Sequence, residues 1–406
     1  MSAWHRLDGE AMGGGGISVS EGVKPAGEAE RRIRVVFIIR RFDRGGAERQ
    51  LIALLRALDK ALFEIRVITL YGGGALWEEA AAIPCVRLVH LGKKGRWHLG
   101  VLGTLWRHLR DARPHIVHGY MDVANILALA GRMRGAKVVW GVRGSNVDMS
   151  RYDYMRRIGQ GLEARLAKLP DLIICNSRAG WSEVKARGFP TERTVIIPNG
   201  IDTERFRTDP ESRRAVRGEW RVAPEEFLVG IVGRLDPMKG HAVFLHAARQ
   251  VLERYAQLRF VLVGDGRLRD PLRELAGQLG IQDRLIWAGE RGDMPAVFPA
   301  LDLTVSASLF GEGFSNVLAE SMACGVPCVA TDVGDASAIL GEFGWSAPPG
   351  DPVALAESIC RAKNACERSA VDPDLLRGRI VCNYGTGRLA DMTAAALGAL
   401  IASPGA

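Results

Sequence analysis

The 406-residue chain is poor in aromatic residues, at 7%, and has no apolar run near the roughly 18 uncharged residues that a membrane-spanning helix needs. Its longest candidates, around residues 126–130 and 394–402, fall well short, so a membrane-crossing protein is not expected. The seven cysteines (Cys85, Cys175, Cys324, Cys328, Cys360, Cys366 and Cys382) form no Cys-x-x-Cys pair and have no histidine at zinc spacing. That pattern excludes a disulfide framework and predicts buried free thiols in a reducing, cytoplasmic compartment. Also missing are the Gly-x-Gly-x-x-Gly turn of dinucleotide sites, the Gly-Lys-Ser/Thr triplet of a Walker loop and the Gly-x-Ser-x-Gly elbow of hydrolases. Residues 1–30 hold Gly13–Gly16 and acidic residues but no apolar core of signal-peptide length, and read as a disordered tail.

Charge is unevenly placed. Residues 1–200 carry 32 Lys+Arg against 19 Asp+Glu, whereas the remainder carries 22 against 27. A basic half suits nucleic acid, an anionic membrane surface or a phosphorylated substrate, because all three present dense negative charge. The basic residues are dispersed as arginines on apparent helices (Arg107, Arg110, Arg113; Arg132, Arg134; Arg151, Arg156, Arg157) with no zinc finger or aromatic RNA-binding signature. No nucleic-acid partner is therefore expected.

Residues 33–39 form a continuous apolar, β-branched run, as a parallel strand buried on both faces requires. A Gly-rich turn follows, and Ala47, Leu51, Leu54, Leu55 and Leu58 then fall at helical spacing. Further strand-like runs lie at 65–70, 86–91, 116–118, 138–142, 172–175 and 195–197. After Pro198-Asn199-Gly200 and a polar passage at 209–221, which reads as a boundary, the pattern restarts at 227–232 and continues at 259–263, 285–288, 303–306 and 327–330. The fold class is α/β: two doubly wound parallel-sheet Rossmann-like domains, 31–200 and 201–385, with an interdomain cleft and a last helix at 386–406 packing back on the first domain.

Three passages carry chemistry. In Gly311-Glu312-Gly313-Phe314-Ser315-Asn316, glycines lead into a helix whose first turn offers Ser315 and Asn316 as caps, with Glu320 one to two turns further on. The helix end suits phosphate, and the two carboxylates either address different parts of one ligand or cap and solvate a surface helix. Gly233-Arg234 and Lys239-Gly240 directly follow the second domain's first strand, placing a planar fork and a point charge where pyrophosphate would bind. The turn with Gly45, Gly46 and Glu48 brings a second helix end to the cleft, and Gly264-Asp265-Gly266 makes another tight turn after a strand. Asp372-Pro373-Asp374 has the spacing of a metal-binding pair but reads as a helix cap. His115 and His118 flank a short strand, and either one facing the cleft or two satisfied structural histidines fits that pattern.

Taken in order, these motifs over roughly residues 33–400 resemble the retaining nucleotide-sugar glycosyltransferases of family 4, which have the GT-B fold. The resemblance rests on Gly45-Gly46-Ala47-Glu48, Pro198-Asn199-Gly200-Ile201-Asp202, Gly233-Arg234 with Lys239-Gly240, Gly264-Asp265-Gly266, and Glu312 and Glu320 with seven residues between them. It implies a UDP- or GDP-sugar donor and a hydroxyl of a saccharide or lipid-linked acceptor, with no cofactor or metal and with peripheral contact to an anionic membrane. It further implies that Arg234 and Lys239 hold the phosphates, Glu312 contacts the donor sugar and Glu320 takes the ribose hydroxyls. Gly45, Gly46, Gly264 and Gly266, with the backbone of Phe314, Ser315 and Asn316, would complete the donor site, and His118 would be the first domain's catalytic residue. Two stretches depart from the family pattern: Arg143-Gly144 stands where a second histidine is common, and Gly334-Asp335 replaces a Gly-Gly. A nucleotide-sugar epimerase of the same fold and a non-enzymatic polyanion-binding protein are the alternatives.

Overall fold

The computed structural model describes residues 32–95, 98, 100–143 and 161–402. Two sheets, each wholly parallel, account for thirteen strands among them. The first has the order β3-β2-β1-β4-β5-β6-β7, from β1 (Ile33–Ile39), β2 (Phe63–Thr69), β3 (Val86–His90), β4 (Ile116–Tyr120), β5 (Lys137–Val142), β6 (Leu172–Cys175) and β7 (Thr194–Ile196). The second runs β10-β9-β8-β11-β12-β13, from β8 (Leu228–Val232), β9 (Arg259–Val263), β10 (Leu285–Gly289), β11 (Leu303–Ser306), β12 (Cys328–Thr331) and β13 (Trp345–Ala347). In each sheet the order reverses beside the first strand, between β1 and β4 and between β8 and β11. Such a switch point leaves a crevice at the carboxyl ends of the strands, where ligands bind.

The central strands are apolar along their length because helices cover both faces: Val35, Val36, Phe37 and Ile38 of β1 are all buried, as are Leu228, Val229 and Ile231 of β8. The helix Gly46–Ala57 buries Leu51, Leu54 and Leu55. Leu389 and Leu397 of the last helix, Thr386–Ala402, join the same apolar cluster, so the chain's final helix packs on the first sheet's side. The two crossings between domains run side by side. Ile201 N–H donates to the Tyr384 carbonyl at 2.7 Å, and Thr386 N–H returns to the Ile201 carbonyl at 3.1 Å.

The polar passage at 209–221 is not a linker. Asp209 caps a helix over Pro210–Glu219, and that helix is anchored by guanidinium groups as well as by the buried Val216. Arg217, 4% exposed, donates to the Ala300 carbonyl and to Asp302, and Arg213 reaches Asp302 and the carbonyls of Pro299 and Leu301. The thiols also divide: Cys175, Cys324, Cys328 and Cys360 are buried, but Cys85 and Cys382 are exposed. Asp372 caps the helix Pro373–Tyr384 by accepting from Asp374 N–H at 2.9 Å.

Candidate active site

The carboxyl end of β8 turns sharply at Gly233, and Lys239 folds back so that its carbon stem lies over that glycine, 3.5 Å from where a Cβ would stand. Arg234 is therefore beside the Lys239 stem. It is exposed, and its guanidinium makes no ion pair or hydrogen bond among the described residues. The Lys239 ammonium pairs with Glu312 Oε1, and the Ser308 hydroxyl donates to the same oxygen at 2.9 Å. Glu312 is 9% exposed, so a largely buried carboxylate fixes the position of a partly exposed cation at the strand end.

Glu312 leads directly into the helix Asn316–Ala323, the shortness of which keeps its amino end and Glu320 close together. Ser315 and Asn316 do not cap that end: Ser315 makes no side-chain cap. The Asn316 amide instead reaches across the cleft. Its Oδ1 accepts from Asn199 Nδ2 at 2.9 Å and from Gln50 Nε2 at 3.5 Å, and its Nδ2 lies 3.3 Å from where a Gly46 Cβ would stand. Gln50 in turn exchanges two hydrogen bonds with the Gly200 backbone, at 2.8 and 2.9 Å. The first domain's glycine turn and the second domain's helix end thus share one small space, with backbone N–H groups of both on offer. At the first of these ends Glu48 folds its own carboxylate over Gly45, where burial raises its pKa.

Two further contacts hold the domains together around this space. Arg44 pairs with Glu290 at 2.9 Å, and Asp335 accepts from the backbone N–H groups of Arg178 and Ala179 at 2.8 and 2.9 Å. The second puts a carboxylate on the positive end of the opposing helix Arg178–Ala186. The departure Gly334-Asp335 thus serves domain closure, a role that a glycine at 335 lacks the side chain to perform.

Glu320 lines a cavity of about 250 Å³ with Arg49, Gln50, Arg56, Gly200, Arg205 and Phe206 among its walls. Burial pushes its carboxyl up to about 7 even though Arg49 and Arg205 pull the other way. A carboxyl whose pKa is higher folded than unfolded binds more protons in the folded state, so its stabilising contribution is full below about 4.5 and is lost as pH rises through about 7. Thermal melts are accordingly expected to drop across that window, and Glu320→Gln to flatten the drop; an unchanged slope in the variant would refute this assignment.

His118 stands differently from the other candidates. It is fully buried in β4 between Phe37 and Tyr120, with ring centroids 5.2 and 5.4 Å away, and neither nitrogen has a hydrogen-bond partner among the described residues. Burial, reinforced by the charge of Arg143, drives its pKa down to about 3, so the imidazole is neutral at physiological pH. Gly264 and Gly266 lie at the neighbouring strand end, where their missing side chains make room for protein backbone: a Cβ would stand 2.0 Å from the Gly233 carbonyl oxygen in one case and 2.6 Å from that of Leu235 in the other. Phe314 is buried edge-on to Tyr384. Gly144, Arg151, Arg156 and Arg157 lie outside the described residues. Sequence reasoning missed Ser308, which has no motif around it, and the bridging part of Gln50, which reads there as one more polar residue on a helix.

Residues 44–205 match the family described as Glycosyltransferase Family 4, and residues 226–364 the one described as Glycosyl transferases group 1. Among curated proteins, EpsF of Bacillus subtilis (strain 168), described as a glycosyltransferase, is 26% identical over 304 residues, which cover 74% of this chain and 79% of EpsF. The UDP-Gal:alpha-D-GlcNAc-diphosphoundecaprenol alpha-1,3-galactosyltransferase of Escherichia coli is 28% identical over 247 residues, covering 59% of this chain and 64% of that protein. Among solved structures, Anabaena HepE in complex with UDP-glucose superposes with a TM-score of 0.79 at 21% identity, over 91% of this chain and all of that one, which establishes the shared GT-B fold.

Proposed function

We propose that this chain, which belongs to the family 4 glycosyltransferases with the GT-B fold, moves a sugar from a UDP- or GDP-linked donor to a hydroxyl of a saccharide or lipid-linked acceptor with retention at the anomeric carbon. One observation carries the donor reading: an unpaired guanidinium at 234 and a fixed ammonium at 239 stand at the strand end next to the helix end at 316, which the first domain's glycine turn faces. As the glycosidic bond breaks, negative charge gathers on the departing diphosphate, and preorganised cations and amide dipoles stabilise it without reorganising. Arg234 and Lys239 supply the cations, so charge neutralisation needs no metal. The backbone N–H groups near Gly45, Gly46, Phe314, Ser315 and Asn316 supply the dipoles. Glu312 orients Lys239 and contacts the donor sugar; Glu320 accepts from ribose hydroxyls; His118, neutral, offers a ring nitrogen on the first domain's side. Retention, which the family resemblance implies, fits front-face attack in which the leaving phosphate takes the acceptor's proton.

The basic first domain and the lipid-linked acceptor in the name of the E. coli relative support an anionic acceptor, possession of which would bring the protein to the cytoplasmic membrane surface in glycan assembly. Among the described residues no helix is long and apolar enough to cross a membrane.

The test is a thermal-shift panel of UDP, GDP and ADP. One diphosphate at a hundred times its Kd should stabilise the protein by about 2.7 kcal/mol. No shift with any of the three sinks the donor reading. Turnover of UDP- or GDP-sugar with acceptor omitted separates transfer from epimerisation, which needs no acceptor.

A further inference from the structure

The first domain's edge of the cleft holds a positive charge for which the described protein supplies no counter-ion. Arg143 follows β5 directly. Its guanidinium carbon lies 4.3 Å from the centre of the Tyr120 ring, and Nη1 donates to Asn199 Oδ1 at 3.3 Å. Its Nε is buried without a partner, and no carboxylate of the described residues forms an ion pair with it. The neighbourhood is unsatisfied as a whole. Both nitrogens of His118, in the middle of β4, the hydroxyl of Tyr120 at its end, and Asn176 Oδ1 just after β6 are likewise buried and unpartnered, on the strands that flank β5. A native protein leaves few buried polar atoms unpaired, and a set of them on residues neighbouring one unneutralised guanidinium, which stacks on Tyr120 and shares Asn199 Oδ1 with Asn176, is a ligand site more readily than a structural accident.

We propose that Arg143 anchors a negatively charged substituent, a carboxylate or a phosphate, on the sugar side of the substrate complex, making this a transferase for an acidic saccharide. The proposal rests on the donor reading above and names the substrate class within it. A neutral hydroxyl would satisfy the orphaned Nε but leave the charge uncompensated; a carboxylate or phosphate does both and matches the planar fork. The diphosphate itself is already provided for by Arg234, Lys239 and the helix end. Arg143 connects to that end only through Asn199, whose amide spans from the guanidinium to Asn316. The charge of Arg143 is felt by its surroundings: it helps to hold His118 neutral and opposes the rise that burial imposes on Tyr120 and Cys175.

The anion has two sources, the donor sugar and the acceptor, and two titration arms separate them. In the first, calorimetry compares UDP-glucose with UDP-glucuronate, and GDP-mannose with GDP-mannuronate, on the full chain. In the second, the chain saturated with UDP or GDP is titrated with glucose 1-phosphate and with methyl α-glucoside. The expected result is at least tenfold tighter binding of the anionic member in one arm, abolished by Arg143→Gln while affinity for the bare nucleoside diphosphate is unchanged. Arg143→Lys, which keeps the charge, should keep the direction of the preference. Melting temperatures of both variants report whether they fold. No preference in either arm, a preference that survives Arg143→Gln, or an equal fall in affinity for the bare diphosphate each overturns the proposal. If bare UDP or GDP binds without any charge preference, only this inference fails; if neither nucleotide binds, the donor reading fails first.

Discussion

A Lys239→Ala protein is expected to fold and to lose turnover by about a hundred- to a thousandfold, the usual consequence of removing one preorganised group that faces developing charge. The side chain is one-fifth exposed and its stem lies over Gly233 at the strand end, outside the apolar clusters of the second domain. The chemistry has no such tolerance. Without the ammonium, a carboxylate that is nine-tenths buried stands without its cation where the donor's phosphates have to be received, and it repels them. Glu312→Gln retains a group that can still accept from Ser308, and should lose less than Lys239→Ala in donor affinity but comparably in rate. Steady-state release of nucleoside diphosphate at saturating donor decides the matter; Lys239→Ala turnover within twofold of the parent would remove the ammonium from the mechanism.

The strand pattern of this protein could be read from its sequence because parallel strands covered on both faces are apolar runs, and twelve of the thirteen strands coincide with an apolar or mostly apolar run, β2 and β3 admitting Glu64, Arg66 and Arg87. The exception is β13, three residues with Ser346 exposed at a sheet edge, where half the signal is absent. The helix at 210–219 was hidden for a different reason: Val216 is its one buried apolar residue, Arg213 and Arg217 complete the packing face by donating to carbonyls and to Asp302, and hydrophobic periodicity cannot register a guanidinium that serves as core. At the site, residues that share one turn, such as Arg234 and Lys239, could be grouped from spacing alone. The bridges from Asn199 and Gln50 to Asn316, and from Asp335 to the amides of 178 and 179, depend on how two domains dock, which local spacing does not encode. Arg143 stood out only as a deviation, and its meaning follows from what surrounds it in three dimensions: an aromatic face, one amide and no acid.

The second large effect is one of stability. Gly264→Ala should lower the free energy of unfolding by about 3 to 5 kcal/mol, combining a backbone conformation that alanine rarely adopts with overpacking against main chain. Gly264 has φ +142°, and a Cβ there would stand 2.0 Å from the carbonyl oxygen of Gly233 and 2.8 Å from its carbonyl carbon. Neither atom is the end of a flexible side chain, so relief requires the ends of β8 and β9 to separate, against hydrogen bonds from Gly233 N–H to the Val263 carbonyl at 2.9 Å and from Leu235 N–H to the Asp265 carbonyl at 3.0 Å. The matching control is Gly277→Ala, inside the helix Arg269–Gln278 with nothing within 4 Å, which should stabilise by about 0.5 to 1 kcal/mol. Denaturant midpoints of the two variants distinguish two reasons for a glycine at 264. If it served only to let a donor approach, alanine would weaken nucleotide binding and leave the midpoint alone. Because the turn it forms also carries Arg234, through the bond from Leu235 N–H to the Asp265 carbonyl at 3.0 Å, the backbone clash predicts that midpoint and donor affinity fall together.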